Sequence, residues 1–328
     1  MGQRDSMAIV SEAKTINDAE VRRLADPAEV IAAIRAAFAR DYSATVRMPV
    51  RTCLQLAGGA VMLVMPCYDS ALDAAGVKIV SVSGQAGVIA SYQLLDPRTG
   101  GVMARMEANY LTDLRTAATS AAATDLLARD DAETLGVFGC GRQAAAHLAV
   151  LPRVRNFRRF LVCGPLDRKS NSPPNTSEFC RKMNDEHGIA AEPADAERCV
   201  RESDVICTCT SSPTPLFDGR RLRAGMHLNL IGAFQPETRE VDDETAQRSR
   251  IVVDTYDGAL AEAGDLLIPL KNGTIGRDQI VADLHEIASG KKQGRTSRDD
   301  ITLFKSVGCA MEDLVTAKLV FEKKANSN

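Results

Sequence analysis

Between Asp18 and Arg40 apolar side chains return every three or four positions, at Val21, Leu24, Val30, Ile34 and Phe38. That spacing predicts a helix with one buried face. From Arg47 onward the texture changes to short apolar runs, Thr52 to Leu56, Val61 to Met65, Val77 to Val82 and Val88 to Leu95, separated by Gly, Pro and Asp. Runs punctuated in this way predict β-strands joined by tight turns. The stretch Leu95-Asp96-Pro97-Arg98-Thr99-Gly100-Gly101 reads as a turn, with Val102 to Glu107 as the returning strand. Residues 1–114 are therefore expected to form a hairpin-rich α+β unit.

After Leu114 the pattern changes again. Arg115 to Leu127 is Ala-rich and predicts a helix opened by Arg115. A short apolar strand, Leu135-Gly136-Val137-Phe138, runs into Gly139-Cys140-Gly141-Arg142-Gln143-Ala144, and a helix from Ala144 to Leu151 follows at once. Further strands are expected at Phe160 to Cys163, Val205 to Cys209, Met226 to Ile231 and Ile251 to Val253. Strands alternating with helices imply a doubly wound parallel sheet over 115–300. Lys169 to Thr176 and Gly290 to Arg298 read as polar connectors, and Leu303 to Lys323 as a final helix. The fold class is α/β.

The Gly-x-Gly-x-x-Ala turn carries the first chemistry. Set between a strand and a helix, it is a dinucleotide-binding fingerprint. Gly139 permits the tight turn, Gly141 lets the backbone approach a diphosphate, and Ala144 keeps helix and strand close. The helix N-terminus adds free N–H groups and about half a positive charge. NAD enzymes place an acid about 20 residues further on; here Cys163-Gly164 stands there instead. Asp167 follows slightly beyond, while Arg168, Lys169 and Ser170 suit a 2′-phosphate. NADP is thus the preferred cofactor and NAD the alternative, although Arg168 and Lys169 also read as solvated loop charges.

Composition narrows the partners. A net charge of -3 gives no reason to expect nucleic acid, and 4% aromatic residues without Trp provide few platforms for stacked bases. A chain of 328 residues suits two domains at roughly 150 residues each. The 9 Cys are scattered and read as buried reduced thiols, and the 4 His lack metal-ligand spacing, so no metal is expected. No apolar run reaches the ~18 residues of a membrane span, and Met1 to Lys14 has no signal-peptide core. A cytoplasmic address without membrane attachment is expected. Met1-Gly2-Gln3-Arg4-Asp5-Ser6 does match the loose myristoylation pattern, without a supporting basic cluster.

Three cations sit in apolar or structured surroundings: Arg51 at the start of a strand, Lys78 within Gly76-Val77-Lys78-Ile79-Val80, and Arg115. Buried cations need partners, and a substrate carboxylate is one candidate. Taken alone, Lys78 equally reads as an outward-facing strand lysine. Spacing does not bring the three together.

One ordered set of motifs goes further. Met48-Pro49-Val50-Arg51-Thr52, Gly76-Val77-Lys78-Ile79-Val80-Ser81 and Leu111-Thr112-Asp113-Leu114-Arg115-Thr116-Ala117-Ala118 come first. They are followed by Gly139-Cys140-Gly141-Arg142-Gln143-Ala144, Glu262-Ala263-Gly264-Asp265-Leu266 and Asp300-Ile301-Thr302-Leu303-Phe304-Lys305-Ser306-Val307-Gly308. With these the chain resembles the ornithine cyclodeaminase/μ-crystallin family over nearly its whole length. The resemblance implies a Rossmann dinucleotide domain (115–300) inserted into an α+β substrate and dimerisation domain built from 1–114 and a C-terminal helix in 301–328. It implies that Arg51, Lys78 and Arg115 grip a substrate carboxylate, with Lys78 also able to relay a proton. Arg115, Thr116, Gly139, Cys140, Gly141, Arg142, Gln143, Thr210, Ser211, Ser306, Val307 and Gly308 would line the dinucleotide. A homodimer is implied as well.

The family's cyclodeaminases carry an Asp after a Gly-Ala pair, where this chain reads Gly232-Ala233-Phe234. Phe234 neither accepts a hydrogen bond nor moves a proton. The departure favours reduction of a small cyclic imino acid, of the 1-pyrroline-2-carboxylate or 1-piperideine-2-carboxylate type, by NAD(P)H. An ornithine cyclodeaminase with tightly bound NAD, an alanine-type dehydrogenase and a non-catalytic μ-crystallin-like binder are the alternatives. Asp265 takes no role from the motif alone.

Overall fold

The computed structural model describes residues 13–84, 87–164 and 176–327. The myristoylation pattern and the 2′-phosphate candidates Arg168, Lys169 and Ser170 lie outside the described residues.

The apolar runs of the N-terminal region pair into a seven-stranded sheet ordered Lys14–Ile16, Val102–Glu107, Gly87–Leu95, Ala74–Ser83, Val61–Asp69, Val46–Arg47, with Thr52–Gln55 also pairing with Val61–Asp69. All neighbours are antiparallel except Lys14–Ile16 against Val102–Glu107. Alternation along Ala74–Ser83 puts Ala74, Gly76, Lys78 and Val80 on the buried face. Lys78 therefore points inward, not outward.

The second sheet has eight parallel strands: Ala191–Pro193, Arg159–Cys163, Thr134–Phe138, Val205–Thr208, His227–Leu230, Ile301–Lys305, Ser249–Val253, Ile280–Asp283. Its central strands are buried at every position, as a parallel sheet covered on both faces requires. Ile301–Lys305 is a strand of this sheet rather than the start of the last helix, and helix begins only at Ala310–Asn326, after Gly308 at φ 81°.

Two other boundaries move. Asp18 to Arg40 is two helices, Asp18–Leu24 and Pro27–Ala39, because Asp26 caps a new N-terminus whose first residue is Pro27. The Ala-rich helix starts at Asn109 and runs to Leu127, so Arg115 lies in its second turn and does not open it. This helix packs against Pro27–Ala39, Arg142–Val150 and Ala310–Asn326. Ala117, Ala118, Ala121, Ala122 and Ala123 are all buried. Their small side chains let the neighbouring helices approach closely on several sides, which accounts for the weak amphipathic pattern. Among the described residues no helix is long and apolar enough to cross a membrane, and no group of three or more His, Cys, Asp or Glu is placed to hold a metal ion.

Candidate active site

The two sheets meet over a cavity of about 420 Å³. Arg51, Lys78 and Arg115, which are separate in sequence, all line it, together with Thr116, Gly141, Arg142, Gln143, Thr210, Ser211, Ser306, Val307 and Gly308. Two expected loop residues stand apart from it. Gly139 lies beneath the turn with φ 116°, where a Cβ would come 2.5 Å from the Cys209 carbonyl. The Cys140 side chain lines an adjoining groove of about 750 Å³.

Each cation has an internal carboxylate partner, so a substrate is not needed to compensate its burial. Lys78 Nζ lies 2.7 Å from Asp313 Oδ1, both fully buried. Arg115 donates to Glu312 Oε2 at 2.5 Å and sits 2.9 Å by its Nε from Asp313 Oδ1. Arg51 meets Glu262 through Nε at 2.9 Å and through a terminal nitrogen at 2.7 Å, and donates to the Val307 carbonyl at 3.1 Å. Glu312 and Asp313 occupy the first turn of Ala310–Asn326, where the helix dipole favours negative charge. Gly308 presses on Arg115: a Cβ there would lie 2.5 Å from the guanidinium, so both φ and contact require glycine.

Burial and then the Arg115 charge push the Lys78 ammonium down to about 8, against the pull of Asp313. Burial also works against the charge of Arg115, but Asp313 and Glu312 outweigh it and raise its pKa. The site thus holds a permanent guanidinium beside an ammonium able to exchange its proton near neutral pH. Leu63, Met65, Val80, Val82, Val88 and Phe234 supply apolar wall, and Arg51 lies 5.3 Å over the Phe234 ring.

The arrangement fits a dinucleotide. Helix Arg142–Val150 starts at Gly141 without a side-chain cap and with no acid in its first turn. Nothing lies within 4 Å of where a Gly141 Cβ would be, so the approach to its N–H groups is open.

Behind the lining stands a set of buried carboxylates, of which only Asp265 belongs to a motif of the sequence. Glu240, fully buried, accepts from Thr210 N and Oγ1 at 2.8 and 2.7 Å, Thr208 Oγ1 at 2.7 Å, Gly232 N at 2.7 Å and Ala233 N at 3.3 Å. Asp254 accepts from Ser306 Oγ, Val307 N and Gly308 N at 3.0, 2.8 and 2.7 Å. Asp265 now has a place: it accepts from Glu240 N at 2.7 Å and pairs with buried Lys305 at 2.8 Å. The hydroxyls of Thr210, Ser306 and Thr116 are therefore engaged within the chain, Thr116 Oγ1 donating to Thr112 O at 2.7 Å. His147 is likewise satisfied, by Gln143 O at 2.8 Å and Ser120 Oγ at 2.9 Å.

Known proteins share this architecture. The chain is 34% identical over 313 residues to a Delta(1)-pyrroline-2-carboxylate reductase of Bacillus cereus, covering 93% of this chain and 94% of that one. It is 33% identical over 292 residues to the ketimine reductase mu-crystallin of Mus musculus, covering 87% and 88%. The structure of Thermococcus litoralis Delta(1)-pyrroline-2-carboxylate reductase in complex with NADH and L-proline superimposes with a TM-score of 0.90 at 35% identity, covering 96% of this chain and 98% of that one. Residues 11–328 match the sequence pattern of a single family, and the chain belongs to it: the ornithine cyclodeaminase/mu-crystallin family.

Proposed function

We propose that the chain is an NAD(P)H-dependent reductase of small cyclic imino acids, of the 1-pyrroline-2-carboxylate or 1-piperideine-2-carboxylate type. The observation that carries this reading is the shared cavity: Arg51, Lys78 and Arg115 line the same space as the glycine turn. Similarity to reductases named for that substrate and for ketimines supports it.

When bound, the reduced nicotinamide supplies the hydride. The chain's own residues do the rest. Arg51 and Arg115 share their charge between internal carboxylates and the substrate carboxylate, at ~1.5–3 kcal/mol per charged hydrogen bond. That grip fixes the imine carbon, so catalysis is largely by positioning. Lys78 holds a proton for the imine nitrogen. The apolar wall takes the ring methylenes and keeps water out. Gly141, Arg142 and Gln143 receive the diphosphate at the N-terminus of Arg142–Val150, while the Thr210 and Ser306 turns receive the remainder of the dinucleotide.

Phe234 lines the cavity where the cyclodeaminases carry an acid, which disfavours amine release from ornithine. NADP as preferred partner rests on Arg168, Lys169 and Ser170 and on the lack of an acid at Cys163-Gly164. A second copy of the chain is the proposed cover for the apolar side chains exposed on the hairpin sheet, Leu54, Leu56, Val88 and Ile89; a sedimentation mass of one chain would contradict it. Absorbance loss with NADPH or NADH and either cyclic imino acid tests the main reading. Ammonia from ornithine without net change in dinucleotide would overturn it.

A further inference from the structure

The turn that suits a diphosphate has an anion already beside it. Asp113, on Asn109–Leu127, is 8% exposed and lines both the main cavity and the adjoining groove. Its Oδ1 accepts from Gln143 Nε2 at 3.1 Å, and its Oδ2 lies 3.3 Å from Arg142 Nε. These are the first two residues of Arg142–Val150. A carboxylate held there repels the phosphate charges that the helix N-terminus attracts. We propose that Asp113 couples dinucleotide binding to proton uptake, its carboxyl group taking a proton as the diphosphate docks beside Arg142 and Gln143. The inference rests on the dinucleotide reading of this cavity.

A second observation supports the protonated form. Gln143 Oε1 is buried without a hydrogen-bond partner. Turning the amide over brings Oε1 to a proton on Asp113 and releases the NH₂ group as a donor at the turn. One proton thus removes the opposing charge and pairs the orphan acceptor, leaving the NH₂ group as the donor for the incoming diphosphate.

The charges facing Asp113 come from three helices. Asp18 and Arg22 approach from Asp18–Leu24, Arg115 from its own helix and Arg142 from Arg142–Val150. Burial dominates and pushes the carboxyl up to about 6, against Arg142. Full affinity for the anionic dinucleotide is accordingly present below about 6 and declines as pH rises toward the higher pKa of the bound form. Adjacent His147, pushed down to about 4 by burial, takes no part in that window.

Calorimetric titration with NADPH and NADH near pH 7, in buffers of different ionisation enthalpy, tests this. The expected result is a binding heat that varies with the buffer, with a slope of about half a proton taken up. Asp113→Asn is expected to abolish that slope and to bind about tenfold more tightly than the native chain at pH 8. Binding without proton uptake, or uptake undiminished in Asp113→Asn, overturns the role of Asp113 and leaves the dinucleotide reading intact. No binding of either dinucleotide to the native chain overturns both.

Discussion

At the level of single residues the proposed chemistry turns on Lys78. A lysine enclosed in protein keeps its charge only with help, and Asp313 at 2.7 Å provides it. With its pKa pushed down to about 8, the charged form prevails below that value and is lost above it. kcat/KM should therefore fall as pH rises through about 8, as for loss of an essential proton donor. Lys78→Ala should lower kcat by on the order of 10²–10⁴-fold, the range for removing a general acid, while dinucleotide binding survives. Turnover unchanged in that variant would remove Lys78 from the mechanism. The glycine turn was legible in the sequence because its chemistry is local: six consecutive residues carry it. The partners of Lys78, Arg115 and Arg51 were not. Asp313, Glu312 and Glu262 stand far away in the chain; the first two sit at a helix start, where acids announce only a favourable dipole, and Glu262 closes a different helix.

At the element scale, the turns lining the cavity are braced from behind. Glu240 joins the ends of Val205–Thr208 and His227–Leu230 by accepting from both following turns. In Glu240→Gln an NH₂ group faces N–H donors, and each donor left unpaired costs about 1–3 kcal/mol. KM for the dinucleotide should rise about tenfold, the result of ~1.4 kcal/mol, with a lowered Tm. An unchanged KM with a lowered Tm would make Glu240 purely structural. Such residues escape sequence reading because a single acid in an irregular segment has no periodicity. The strand Ile301–Lys305 escaped for a different reason. Its five residues, Ile-Thr-Leu-Phe-Lys, are all buried and show no strand alternation of apolar and polar side chains, so by period they do not separate from the start of a buried helix. Among the hairpin strands, Gly87–Leu95 and Val102–Glu107 match their expected runs closely, while Val61–Asp69 and Ala74–Ser83 extend several residues beyond the runs Val61 to Met65 and Val77 to Val82.

At the scale of the whole molecule, the proposed reaction depends on two sheets sharing one cavity. The hairpin sheet contributes Lys78 and the following helix Arg115, while the parallel sheet contributes the glycine turn and the turns at Thr210 and Ser306. Helix Asn109–Leu127 packs against elements of both, which fixes the cations relative to the glycine turn. The alternation of element types made both sheets legible; their mutual placement was not, since no local pattern encodes it. The most direct test of that shared cavity is hydride delivery. The native chain is supplied with reduced dinucleotide carrying deuterium at both C4 positions of the nicotinamide and with 1-pyrroline-2-carboxylate, and the product is analysed by mass spectrometry. The account predicts a cyclic amino acid carrying one deuterium on the carbon that bears the carboxylate. A product without label there, or no product with any cyclic imino acid tried, would contradict it.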